Sequence, residues 1–167
     1  MNKKKHIILI SGEANTGKTN TMASIYRKMF KLQREHIFIR YIENKKNTNE
    51  LEIKEGSVEI QDFIAVFKLR NGKIIVLISK GDVCNEFIDD WLYVKKFEAD
   101  LLVVTERISP RTHPIYDYIH NQLQDEADIK LHINTLLHGI DYIHNAELLC
   151  EMEETISDAV LGYISKI

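Results

Sequence analysis

Long apolar runs are missing from this sequence, and so is any excess of basic charge. No stretch approaches the roughly 18 consecutive apolar residues of a membrane-spanning helix. Ile7 to Ile10, which follows the basic Lys3-Lys4-Lys5, is too short an apolar segment for a secretory signal. Two cysteines, Cys84 and Cys150, make neither a disulfide framework nor a metal-knuckle spacing, which points to a reducing compartment. Only two prolines and seven glycines occur in 167 residues, and no repeat, low-complexity tract or interdomain linker interrupts them. With 22 basic and 25 acidic residues, the net charge of −3 provides no general field for nucleic acid. Nucleic acid and membrane are therefore not indicated as partners. The expectation is a soluble, cytoplasmic protein with one domain over residues 1–167, long enough for one well-buried core.

What the chain does have is concentrated between Ile7 and Leu32. A strand-like run, His6-Ile7-Ile8-Leu9-Ile10-Ser11, breaks into Gly12-Glu13-Ala14-Asn15-Thr16-Gly17-Lys18-Thr19. Met22, Ile25, Tyr26, Met29 and Leu32 then recur at helical spacing. The break fits G-x-x-x-x-G-K-[ST] in its required strand–loop–helix setting. Glycines at positions 12 and 17 let backbone N–H groups converge on a phosphate. Lys18 supplies a cation for β- and γ-phosphates, Thr19 a hydroxyl for Mg²⁺, and the helix N-terminus a partial positive charge. The expected nucleotide contacts are Gly12, Glu13, Ala14, Asn15, Thr16, Gly17, Lys18, Thr19 and Asn20.

On these residues the chain resembles the P-loop nucleoside-triphosphatase superfamily, the match covering Ile7 to about Leu32. The resemblance implies an α/β nucleotide-binding fold, with a mostly parallel central sheet and helices on both faces. It also implies Mg-nucleotide as ligand, without choosing among ATPases, GTPases and kinases.

The rest of the chain supplies the sheet. His36–Ile42 alternates as a second strand, and Glu43–Ser57 is polar enough for an exposed connection. Phe63–Leu69 and Lys73–Ser79 flank Arg70-Asn71-Gly72, which predicts an antiparallel hairpin closed by a type I′ turn. The continuously apolar Ile74–Ile78 should be central, with its partner toward an edge. Such a hairpin is similar to the arrangement in small GTPases. Asn85–Phe97 predicts a helix anchored by Trp91, and Asp100–Thr105 a buried strand. A helix starts near Pro114, Ile129–Ile133 is a last strand, and a closing helix runs from Asn145.

Strand ends supply the second half of such a site. After Ile78 the residues are Ser79-Lys80-Gly81-Asp82. Ser79 stands where a Walker B acid is expected. Asp82, three residues on, either turns back to metal or water or caps the next helix, and Gly81 would let a backbone N–H approach the γ-phosphate. After Val104 comes Thr105-Glu106-Arg107-Ile108-Ser109-Pro110-Arg111. The Asn-Lys-x-Asp run with which GTPases read guanine is missing, so ATP is slightly favoured over GTP. Arg107 or Arg111 would neutralise charge on a transferred phosphoryl group. His132, His138 and His144 recur at six-residue steps, which do not hold one helical face, so no transition-metal site is expected from them. Ser11, Ser79 and Cys84 show no nearby activating base.

These readings make the chain a Mg-nucleotide-binding NTPase that hydrolyses the γ-phosphate. Lys18, Asp82 and Arg107 are the catalytic candidates, and Thr19 and Asp82 the metal candidates. Two alternatives stand beside it. One is a nucleotide-dependent binding module with little turnover that reports to a protein partner, and the other a small-molecule or nucleotide kinase using Glu43–Ser57 as an acceptor pocket.

Overall fold

The computed structural model describes residues 4–13, 16–32, 35–41, 45, 47–48, 61–109, 112–135 and 146–167. Strand β1 (Lys5–Gly12) leads into helix α1 (Lys18–Lys31), followed by β2 (Glu35–Tyr41) and the two-residue β3 (Asn47–Thr48). The hairpin β4 (Phe63–Lys68) and β5 (Ile74–Ile78) precedes α2 (Cys84–Val94), whose last turn tightens to a 3₁₀ helix at Lys95–Phe97. Then come β6 (Leu101–Arg107), α3 (Pro114–Gln122), β7 (Ala127–Asn134) and α4 (Ala146–Ile164). Every element predicted from periodicity exists within a few residues of its expected bounds. The polar connection, residues 43–57, lies almost wholly outside the described residues.

The seven strands form one sheet in the order β3-β2-β4-β5-β6-β1-β7. From β5 through β6 and β1 to β7 all neighbours are parallel, while β4 runs antiparallel to both β2 and β5 and β3 runs antiparallel to β2. This is an α/β fold with helices on both faces. Alternation along the strands sends Ile8 and Ile10 to the face covered by α1 and α4, and Ile7 and Leu9 to the face covered by α2 and α3. Trp91 is the apolar anchor expected of it, buried with Phe87 against the second face. Among the described residues, no helix is long and apolar enough to cross a membrane.

Two expectations are corrected. First, β4 is not toward an edge: it is paired on both sides, and Phe63 to Phe67 are all buried. Its unbroken apolar sequence reflects burial on both faces, as for β5. Second, the hairpin turn is not type I′. Gly72 N–H donates to Leu69 O at 2.9 Å and Leu69 N–H to Lys73 O at 2.8 Å, and Gly72 alone in the loop takes a positive φ, +83°. That is a three-residue loop with a type I turn closed by a left-handed glycine. Asn71 stays out of the left-handed region and spends its side-chain oxygen on the N–H of Lys73 at 3.1 Å.

Candidate functional site

Parallel strands end on one edge of the sheet, and β4, running the opposite way, begins there. This edge therefore gathers Gly12 from β1, Ser79 after β5, Arg107 from β6, Thr135 after β7, and Asp62 just before β4. Gly17 makes the turn into α1 with φ +74°, a conformation that costs other residues strain. Within the loop, the Thr16 hydroxyl donates to Glu13 O at 2.9 Å and Lys18 Nζ donates to the same oxygen at 2.5 Å. The ammonium is largely enclosed. Burial pushes the Lys18 pKa down from 10.5, Arg107 acts in the same direction, and Asp82 and Asp62 oppose it.

An acid stands beside the end of β5, just before the start of β4. Asp62 Oδ1 accepts the Thr19 hydroxyl at 3.2 Å and the Ser79 hydroxyl at 3.1 Å. Ser79 is itself fixed by the hairpin: its Oγ accepts Phe63 N–H at 2.8 Å, and its N–H donates to Phe63 O at 3.0 Å. Burial, seconded by the Asp82 charge, pushes the Asp62 carboxyl above the usual range against the two hydroxyls. Sequence reasoning passed over Asp62. The signal was its place immediately before the β4 run, opposite the end of β5.

Asp82 does not cap α2, because Val83 holds that position and no side chain caps it. Instead its carboxylate lies 3.8 Å from the Arg107 guanidinium, both side chains about half exposed. The pair sits where its two charges act on Lys18 with opposite sign. Gly81 is required by its close seat on β6: a Cβ there would lie 1.6 Å from Thr105 O. Its carbonyl accepts Arg107 N–H at 2.7 Å, which seats the Ser79–Asp82 turn on β6. Asn20 donates a side-chain hydrogen bond to Glu153 of α4, whose carboxylate packs against the loop at Gly17, where a Cβ would lie 2.9 Å from Glu153 Oε1. Ala14, Asn15 and Arg111 lie outside the described residues, as do His138 and His144.

A second polar cluster adjoins this edge on the α3 side. The buried Ser11 hydroxyl donates to Glu106 Oε2 at 2.6 Å and lies 2.7 Å from His132 Nε2. Ser11 has one proton to give. When Glu106 takes it, the contact to His132 needs the proton on Nε2. The other oxygen of Glu106 accepts the N–H groups of Ile115 and Tyr116, both at 2.9 Å, at the start of α3. Glu106 is 0% exposed. Burial lowers the His132 pKa, partly offset by Glu106. Ser11 thus has a base beside it after all, contrary to the sequence reading, but its complete burial keeps it from acting as a nucleophile on a substrate.

A β-bulge brings His132 into this cluster. The β1–β7 register shifts between Ile7 and Ile8, opposite Ile129 and Leu131, so that Lys130 is the extra residue. Ile129 accordingly packs on the α2/α3 face, Leu131 and Ile133 on the other, and His132 returns to the face of Ser11. No protein-family model, no curated protein and no solved structure matches the chain, so family membership adds nothing to this geometry.

Proposed function

We propose that the chain is a Mg-nucleotide-binding protein of the P-loop type that hydrolyses the γ-phosphate of a nucleoside triphosphate, with ATP slightly favoured. The observation that carries this reading is the Thr19 hydroxyl held 3.2 Å from the Asp62 carboxylate, next to the enclosed ammonium of Lys18. Oxygen donors of this kind suit Mg²⁺, which prefers one or two carboxylates together with phosphate and water. Thr19 and Asp62 would hold the ion, and the ion would supply charge neutralisation across the phosphates. Lys18 now spends its charge on Glu13 O, a contact that a phosphate oxygen would replace with a stronger, charge-assisted one. Arg107 stands ready to balance charge that develops on the transferred group, with Asp82 setting its position. Asp82 moves, in this reading, from metal candidate to partner of Arg107.

A nucleotide-dependent binding module is the competing reading. It draws support from the same Asp82–Arg107 pair, because an arginine neutralised by its own aspartate contributes less to a transition state. Nucleotide affinity with and without Mg²⁺, measured for ATP and GTP beside single-turnover hydrolysis, separates the two. Binding with γ-phosphate release supports the enzyme, binding without it the module, and no binding of either nucleotide removes both. A GTP advantage of about a hundredfold, about 2.7 kcal/mol, would overturn the ATP preference.

A further inference from the structure

Glu106, His113 and His132 come from the end of β6, the residue before α3, and β7, and their potential ligand atoms all lie within 4.8 Å of one another. Glu106 and His132 are held by their surroundings. Two backbone N–H groups fix one oxygen of Glu106 and leave Oε2 facing the cluster, where the Ser11 hydroxyl orients it. Tyr116 stacks on the His132 ring at 5.3 Å between centroids, and His113 meets the same ring edge-on at 6.1 Å. His113 Nδ1 is a buried atom with no hydrogen-bond partner, 3.6 Å from Glu106 Oε2. Among the described residues, that imidazole is the one ionisable base within 4.0 Å of this fully buried carboxylate. Three hydrogen bonds stabilise this buried carboxylate, and a metal ion on its Oε2 side would add the full charge partner that the described residues do not supply.

We propose that Glu106, His113 and His132 form a binding site for a divalent transition ion of the zinc class. Two imidazoles and one carboxylate are a borderline donor set that selects such ions over Mg²⁺ and Ca²⁺, which prefer all-oxygen ligands. Three protein ligands leave a fourth position for water, and His113, with its side chain 39% exposed, gives that position a route to solvent. The Ser11 hydroxyl on Glu106 has the place of an outer hydrogen bond that orients a ligand. This site is distinct from the proposed nucleotide ion, which has oxygen ligands from Thr19 and Asp62, and it stands without the nucleotide reading.

The test uses the full chain, stripped of metal and free of nucleotide, with Zn²⁺ in competition against a chromophoric chelator. The expected result is one tight equivalent, not displaced by excess Mg²⁺, and a four-coordinate visible spectrum when Co²⁺ replaces Zn²⁺. Loss of an outer-shell partner commonly weakens metal affinity 10–100-fold, so His113→Ala and His132→Asn should each weaken it by at least about 100-fold. His113 is surface-accessible, which lets its variant fold, and circular dichroism checks that it does. His120→Ala, which alters a ring stacked on Tyr116 without removing a ligand, should keep the affinity. Failure of the unmodified chain to take up Zn²⁺ would overturn the proposal, as would unchanged affinity in either ligand variant.

Discussion

Asp62 and Thr19, 43 residues apart, share a hydrogen bond at 3.2 Å because β4 begins at the edge of the sheet where β1 ends. The same Asp62 oxygen holds Ser79, so in the proposed reading an acid just before one hairpin strand stands in for the acid missing after the other.

Asp62→Asn tests that substitution directly. The amide oxygen can still accept from Thr19 and Ser79, but the charge is gone. Nucleotide affinity should fall in Mg²⁺ and change little with the metal chelated, and Thr19→Ala should give the same pattern. Equal losses with and without Mg²⁺ would place both groups on phosphate or on structure.

The same variant should stabilise the protein without ligand. Asp62 has its folded pKa raised above 3.8, so its favourable contribution is present below 3.8 and lost as pH rises through the folded value. At neutral pH the ionised carboxylate is then a cost that asparagine removes. Urea melts at pH 7 should show a gain of about 1 kcal/mol, the usual scale when a strained functional group is relieved. A loss of stability would show that the carboxylate is better satisfied than its burial implies.

Lys18→Ala should reduce Mg-nucleotide affinity by about 2–5 kcal/mol while the circular dichroism of the fold is kept. It should also remove a contribution that makes stability rise with pH. The folded Lys18 pKa lies below 10.5, so between those two values the unfolded chain binds more protons and stability rises with pH. On going from pH 8 to pH 10 the variant should gain less stability, or lose more, than the unmodified chain.

Asp82→Asn separates catalysis from binding. If Asp82 positions Arg107 for phosphoryl transfer, single-turnover hydrolysis should fall by on the order of 10²-fold with little change in affinity, as for loss of one transition-state contact. Because no side chain caps α2, stability should hardly move. Unaltered turnover would remove the Asp82–Arg107 pair from the mechanism.

Gly81→Ala puts a methyl group into the backbone of β6, 1.6 Å from Thr105 O before relaxation. Overpacking of this kind costs about 1–3 kcal/mol, and more against rigid backbone. A thermal melt should show the loss with or without nucleotide.

The elements were legible in the sequence because hydrophobic periodicity records which face each residue buries. The strand–loop–helix order around Gly17 was legible because its residues are contiguous. What escaped depends on register. A two-residue Asn-Gly turn would pair Arg70 with Lys73, whereas the three-residue loop pairs Ile64 with Ile78 and so sets Phe63 against Ser79, with Asp62 beside it. One residue of turn geometry therefore hid the acid. The histidine cluster was hidden for a similar reason. Glu106, His113 and His132 have no common spacing, and the six-residue histidine steps directed attention along the chain when the partners of His132 lay across the sheet and on the approach to α3.

The bulge at Lys130 also shapes the outer border of the sheet. Among the described residues, β7 ends the strand order and leaves an outer row of backbone groups, the kind of edge on which strands from separate chains add and aggregate. The extra residue breaks the regular spacing of that row, and the ion pair of Lys130 with Asp128 sets both charges beside it. Straightening the strand by deleting Lys130 would turn His132 away from Ser11. It would also leave a flatter, less charged border open to growth into fibrils.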